Sequence, residues 1–484
     1  NLDAYRHYYE GQECVDRPSR GPAWHQLDCA GHFRKALAID PGFGLAHYQL
    51  AALLAGEGAT VERQREALAP ALTSLERIPP KERDLVLAWK AHLDGDDERA
   101  LALYKKVIDA FPDDKQPIFL AGNLLHHRGD VREAIVYLER VLELDPEFEF
   151  AMDHAAEDLG WLGRRDRLRE LVRGWEKLPP TPARLHTLST AKGWLGDARG
   201  ALEIARRAYG GDGGAALGDL VRALLYAGDA AGAEALVRRE IQSERTEPTR
   251  LRYFLVIVLA NQGRWREASA VLDGLGPRLI SAEERITLHA RRMHLLAGFG
   301  DAPSVLKEAE RLAPLDPERA SVYGVHVAYA GDVESAARLA STLDPAGGRA
   351  RLVQAVVSLR RGRAAAAAEA LAALAEPGVA RSLSIPDDVP PFLHGEALAE
   401  AGRCAQAVDV LRRYQDAFVP AHYWRPWALA RSRLLAARCY ERLGRRDAAR
   451  QEIDRLLRAW RRADPDQAIL REARALRDRL GREE

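Results

Sequence analysis

Residues 81–114 read KERDLVLAWKAHLDGDDERALALYKKVIDAFPDD. They hold a small residue at Ala88, a Gly95-Asp96 step, a second small residue at Ala100, an apolar Tyr104 one helical turn later, and Pro112. Glycine can enter the left-handed region that ends a helix, and proline cannot continue a helical hydrogen-bond ladder. The stretch therefore predicts helix, tight turn, helix, stop.

The same step recurs along the chain, at Gly129-Asp130, Gly163-Arg164, Gly196-Asp197, Gly228-Asp229, Gly263-Arg264, Gly300-Asp301, Gly331-Asp332, Gly362-Arg363, Gly402-Arg403 and Gly444-Arg445. Spacings run 34, 34, 33, 32, 35, 37, 31, 31, 40 and 42 from Gly95 onward, a repeat period lengthened by insertions near the C-terminus. Five residues after each glycine stands a small or apolar residue, from Ala100 and Ala134 to Ala407 and Ala449. Nine after it stands the next member of an i, i+4 stripe, such as Leu138, Val172 and Leu411. Seven before it the residue is again small in most repeats (Ala88, Gly122, Ala156, Ser189, Gly324, Ala355, Gly395, Ala437), with Val221, Val256 and Met293 as exceptions. Helices meeting at small residues pack at short interaxial distance.

Small residues at repeat positions 8 and 20, Gly at 15 and Pro at 32 resemble the tetratricopeptide consensus, most closely over 81–180, where Pro112, Pro146 and Pro180 lie 34 residues apart. The resemblance implies an all-α, right-handed α-solenoid of about thirteen helical hairpins. Four regions are expected: degenerate N-terminal hairpins with a loop insertion at 1–80, the best-formed repeats at 81–180, divergent repeats at 181–400, and hairpins with longer loops at 401–484. Phe33–Pro41 closes an early hairpin, Ala46–Ala51 opens the next, and the segment after Asp464-Pro465 forms a charged capping helix. The ends, Asp3–Gly11 and Trp460–Pro465, resemble repeat regions attached to bacterial serine/threonine kinases and some transcriptional activators. No kinase lysine strand, HRD loop or DFG accompanies them.

With 71 Lys and Arg against 71 Asp and Glu, no net field favours nucleic acid or anionic membrane, and the expected partner is a protein or peptide. No apolar run is long enough to insert in a bilayer. The start at Asn1 rather than Met suggests a region of a longer protein whose other domains supply a catalytic or anchoring part. Cys14, Cys29, Cys404 and Cys439 form two sequence-local pairs; the expectation is four small reduced packing residues and a cytoplasmic setting. Disulfides in either pair would instead indicate an extracytoplasmic one.

Candidate chemistry is thin. Gly210–Gly214 follows no strand and reads as an inter-repeat loop rather than a phosphate cradle. His25, Cys29 and His32, with Cys14, could in principle ligate zinc, but Cys29 falls at a small packing position. His126-His127 and the pair His154 and Glu157 are too sparse for a metal site or an acid/base pair, so no catalytic centre, metal or cofactor is expected. The tetratricopeptide register places positions 5, 9, 12 and 13 of each first helix on a concave face: Leu85, Trp89, His92 and Leu93; Phe119, Asn123, His126 and His127; Asp153, Glu157, Gly160 and Trp161; then His186, Trp194, Tyr226 and Tyr253. Aromatics interleaved with amide, imidazole and carboxylate suit a peptide groove; each aromatic could equally fill a gap between repeats. Arrays that clamp a C-terminal carboxylate use Lys at position 5 and Asn at position 9; Asn123 matches, Phe119 does not. A second aromatic cluster, Tyr414, Phe418, His422-Tyr423-Trp424 and Trp427, occupies the longest insertion and reads as helix ends packing on themselves, with a partner patch as the alternative. The functional expectation is a non-catalytic interaction scaffold or sensory module of a bacterial signalling protein, with an assembly subunit, docked through its convex face or terminal hairpins into an oligomer or larger complex, as the alternative.

Overall fold

The computed structural model describes residues 1–16, 29–56, 61–210, 216–243, 248–276, 279, 281–299, 301–316, 323–376, 379, 389–417 and 426–481. Gly300, most of the Gly210–Gly214 loop, His25, Phe418 and His422–Trp424 lie outside them. Twenty-seven α-helices and no strand occur among the described residues, and they pair in chain order into thirteen antiparallel hairpins followed by a last helix, Ala468–Gly481. This is an all-α helical-repeat solenoid.

Each hairpin turns where the glycine predicts. Every step glycine among the described residues has φ between +67° and +114°. At Gly129 the turn is closed by Gly129 N–H donating to the His126 carbonyl (3.1 Å) and Asp130 N–H to that of Leu125 (2.9 Å), which satisfies carbonyls the helix end leaves over. At five of the Gly-Asp steps the aspartate then caps the second helix: the Asp96, Asp197, Asp229, Asp301 and Asp332 carboxylates accept from backbone N–H groups three residues on, whereas the Asp130 carboxylate pairs with Arg128 instead. Gly-Arg steps lack that side-chain cap.

The residue five after each step glycine is completely buried throughout, from Ala100 to Ala449. At Gly122 an added Cβ would meet the Tyr137 and Leu138 side chains at 3.1–3.2 Å, so the small-residue rule there reflects direct helix-on-helix contact. The stripe nine residues after the glycine is buried too, except at Ala340, where the short helix Val333–Ala340 ends. Around Pro180 the second helix stops earlier than the proline, at Trp175.

Backbone packing divides the chain into two units, residues 1–191 and 192–484, with the division inside the helix Pro182–Trp194. In the first unit, partners lie about one repeat apart: Lys105 with Glu133, Arg167 with Glu139, Lys115 with Asp145. Its first two helices, Leu2–Asp16 and Cys29–Ile39, correct the cysteine expectation. Cys14 and Cys29 form a disulfide with Cα atoms 5.6 Å apart, because the antiparallel pair brings its facing ends together; only Cys404 and Cys439 are buried free thiols. With both sulfurs in that bond, a zinc set using Cys14 and Cys29 is ruled out.

The second unit adds contacts that skip many repeats. The Trp427 indole N–H donates to the His294 carbonyl (2.7 Å), and Trp265 meets Trp460 edge-on at 5.7 Å. Asp464 N–H donates to the Gly263 carbonyl (3.0 Å), while its carboxylate accepts from Arg266 N–H (3.0 Å). Tyr414 and Trp427 pack on Phe392, and Trp427 on Tyr329. The described part of the C-terminal aromatic cluster is thus core.

Candidate partner-binding face

The first helices Lys115–Arg128, Glu149–Trp161 and Pro182–Trp194 present facing side chains at one-repeat intervals, and within the first unit these join into a polar and aromatic ladder. Asn123 Oδ1 lies 2.9 Å from His154 Nε2; His126 Nδ1 lies 2.8 Å from Asp158 Oδ1, with Glu157 3.6 Å from its Nε2. On the next helix, Thr187 Oγ1 donates to Asp153 Oδ1 (3.2 Å), and His186 Nε2 is 3.6 Å from the same carboxylate. The imidazoles of His126 and His154 stack at 4.0 Å and 9°, and His127 meets both edge-on. Phe119 closes one end against Phe148 (4.9 Å), Phe150 (6.1 Å) and His154 (6.2 Å).

Burial separates the floor of this ladder from its face. His126 and Asp158 are buried; Phe119, Asn123, Asp153, His154, Glu157, Trp161 and His186 are half-buried, and His127 is exposed. Burial pushes the Asp153 carboxyl above its usual range, and the nearby His186 pulls against that rise. No described residue takes the Asn123 amide donors. The arrangement offers fixed hydrogen-bonding groups beside aromatic surface, the requirement for holding an extended chain.

Other residues of the expected face sit differently. Leu85, Trp89 and Leu93 are buried, with Trp89 against His92 (5.4 Å), while His92 is half-exposed and its Nδ1 lies 2.7 Å from Asp97. In the second unit Trp194 is buried; Tyr226 and Tyr253 are half-buried, and the Tyr226 hydroxyl donates to the Gly193 carbonyl (3.2 Å). Position in the repeat cannot separate a tryptophan that fills the seam from one that faces solvent, since both satisfy the same spacing.

Sequence reading missed a cavity of about 750 Å³ in the second unit, where the contacts between distant hairpins enclose space. Tyr226, Asn261 and Trp460 line it together with six arginines and two aspartates. Arg433 pairs with Glu452, Arg462 with Glu234 and Arg477 with Asp454; Arg458 and Arg461 have no ion-pair partner among the described residues. The run Arg458-Ala-Trp-Arg-Arg462 was its sequence trace.

Comparison with known proteins adds a family. The tetratricopeptide repeat pattern matches residues 116–148. No curated protein matches the sequence. Among solved structures, a tetratricopeptide repeat protein from Parabacteroides merdae is 15% identical over 54% of this chain and 97% of its own, with a TM-score of 0.31. Yeast Tom70 is 11% identical over 98% of this chain and 96% of its own, at a TM-score of 0.35. The P58(IPK) TPR domain is 15% identical over 83% and 98%, at 0.24. The matched repeat covers the hairpin whose turn is Gly129, and the same turn glycine and buried small residue recur at each described step from Gly95 to Gly444; residues 116–148 are a tetratricopeptide repeat, set in a solenoid of hairpins built to the same turn.

Proposed function

We propose that the chain is a non-catalytic protein-interaction scaffold that holds an extended peptide segment of its partner along the ladder from Phe119 to His186. Tetratricopeptide repeats generally mediate protein–protein contact, which supports the class; the ladder supports the place. The observation that carries it is the continuity of half-exposed hydrogen-bonding side chains across three successive first helices, each oriented by a partner on the next. The Asn123 amide is suited to a peptide backbone, and Phe119 with His154 to an apolar side chain. The expected setting is regulatory, in a bacterial signalling protein. The Cys14–Cys29 bond favours an oxidising compartment over the cytoplasm.

The test is to select binders from a random peptide display library on the full chain, then measure them against Asn123→Ala and Trp161→Ala. A loss of tenfold or more with an unchanged melting temperature supports the groove, and unchanged affinity in both variants refutes it. The arginine-lined cavity carries a second reading, a sensory site for an anionic ligand. Pyrophosphate or citrate would then raise the melting temperature of the native chain but not of Arg458→Glu/Arg461→Glu.

A further inference from the structure

At the N-terminal end of the first unit, two imidazoles converge on one carboxylate oxygen. His7 and Glu10 stand one turn apart on the helix Leu2–Asp16, and His32 lies on the antiparallel helix Cys29–Ile39. The Nδ1 atoms of His7 and His32 lie 2.9 and 3.2 Å from Glu10 Oε2, and one donor atom from each residue fits within a 4.8 Å span. A tetrahedral zinc site with bonds of about 2.0–2.1 Å separates neighbouring ligand atoms by roughly 3.3 Å. Both distances to Glu10 are near that edge length.

A second observation concerns how the site is held. Glu10 precedes Cys14 by one helical turn, and His32 follows Cys29 by nearly one, so the Cys14–Cys29 disulfide staples the two ligand-bearing helices at the neighbouring rung. A covalent tie beside a three-residue donor set reduces the ordering that binding would otherwise require. All three side chains are partly exposed, which leaves an entry path and room for a fourth, water ligand.

We propose that His7, Glu10 and His32 bind one divalent transition-metal ion, zinc being the ion that suits two imidazoles and a carboxylate. Without metal the Nδ1–H groups bond Glu10; on binding, each ring takes the tautomer with its proton on Nε2, an imidazolium losing its Nδ1 proton to solvent, so that the Nδ1 lone pairs and the carboxylate turn to the ion. The site is independent of the ladder.

The experiment is isothermal titration of Zn²⁺ into the chelator-stripped, disulfide-intact full chain at pH 7.5, with Co²⁺ absorption as a second readout. One equivalent is expected, with tetrahedral cobalt bands and a zinc-dependent rise in melting temperature. His32→Ala and Glu10→Gln should each weaken binding at least tenfold while circular dichroism stays native. Absence of binding by the native chain, or losses below tenfold in both variants, would overturn the site. Glu10→Gln preserves side-chain volume on a partly exposed position, so it decides the matter if His32→Ala misfolds.

Discussion

Residues 1–191 and 192–484 use the same hairpin but different ranges of contact. In the first unit the bonds between side chains of neighbouring hairpins span about one repeat, as in Asn123–His154 (31 residues) and His126–Asp158 (32). In the second unit Trp427 reaches His294 across 133 residues, Arg266 reaches Asp464 across 198 and Arg462 reaches Glu234 across 228. A nearest-neighbour array is stable by summation, and losing one interface frays it locally. Long-range contacts couple distant hairpins, so losing one should loosen both ends of the contact together. Such contacts also close large loops, which slows folding.

The largest effect should come from Trp427→Ala. The side chain is buried against Phe392 and Tyr329, and its indole N–H satisfies the His294 carbonyl. Truncating a buried tryptophan costs about 3–5 kcal/mol. In hydrogen exchange the second unit should lose protection in both 282–296 and 426–442, while 115–161 stays as in the native chain. Loss confined to 426–442 would mean that the long-range contact carries no energy.

A glycine pair sharpens the comparison. Gly163 and Gly263 occupy the same turn position with φ of +67° and +74°. A Cβ at Gly163 would meet nothing within 4 Å, whereas at Gly263 it would lie 2.5 Å from the Ala463 Cβ and 3.0 Å from Trp460. Gly163→Ala should therefore cost only the left-handed penalty, roughly 1 kcal/mol. Gly263→Ala adds overpacking against a distant hairpin and should cost about 2–4 kcal/mol. Equal urea midpoints for the two variants would remove the distinction.

These contrasts also show how far residue spacing reaches. The turn glycines and the rows of buried alanines were legible because each is a demand of one hairpin on itself or its neighbour, repeated often enough to stand out. The ladder was legible in part: Asn123, Asp153 and Glu157 are register positions that take part in it, but His154, Asp158 and Thr187, outside the four register positions, supply one partner in each of its three hydrogen bonds. Contacts across 200 residues depend on small rotations accumulated over several hairpins, and no local pattern reports their sum. One trace existed. Trp265 stands two residues after its step glycine, where other repeats carry Asp, Val, Arg, Ala or Cys, and a large apolar side chain there needs cover from elsewhere.

The smallest effect concerns acid. Glu234 is almost fully buried; burial alone would raise its carboxyl, but Gln262 (2.9 Å), Arg264 (2.7 Å) and Arg238 (3.0 Å) outweigh that and bring it down to about 2, with Arg462 from the distant hairpin 3.3 Å away. A carboxyl lower in the folded than in the unfolded chain adds stability above its unfolded value, near 4.5, and loses it as pH falls toward 2. The contribution is on the order of 2 kcal/mol. Urea unfolding of the second unit at pH 6 and pH 3, followed by tryptophan fluorescence, should therefore show a larger fall for the native chain than for Glu234→Gln, which has nothing to protonate at that position. At pH 6 the variant should be the weaker of the two, and by pH 3 the gap should narrow. Parallel pH profiles would mean that the arginines gain as much from solvent as from Glu234, and the long-range contact would then rest on Trp265, Trp427 and Trp460 together with the Asp464 hydrogen bonds to Gly263 and Arg266.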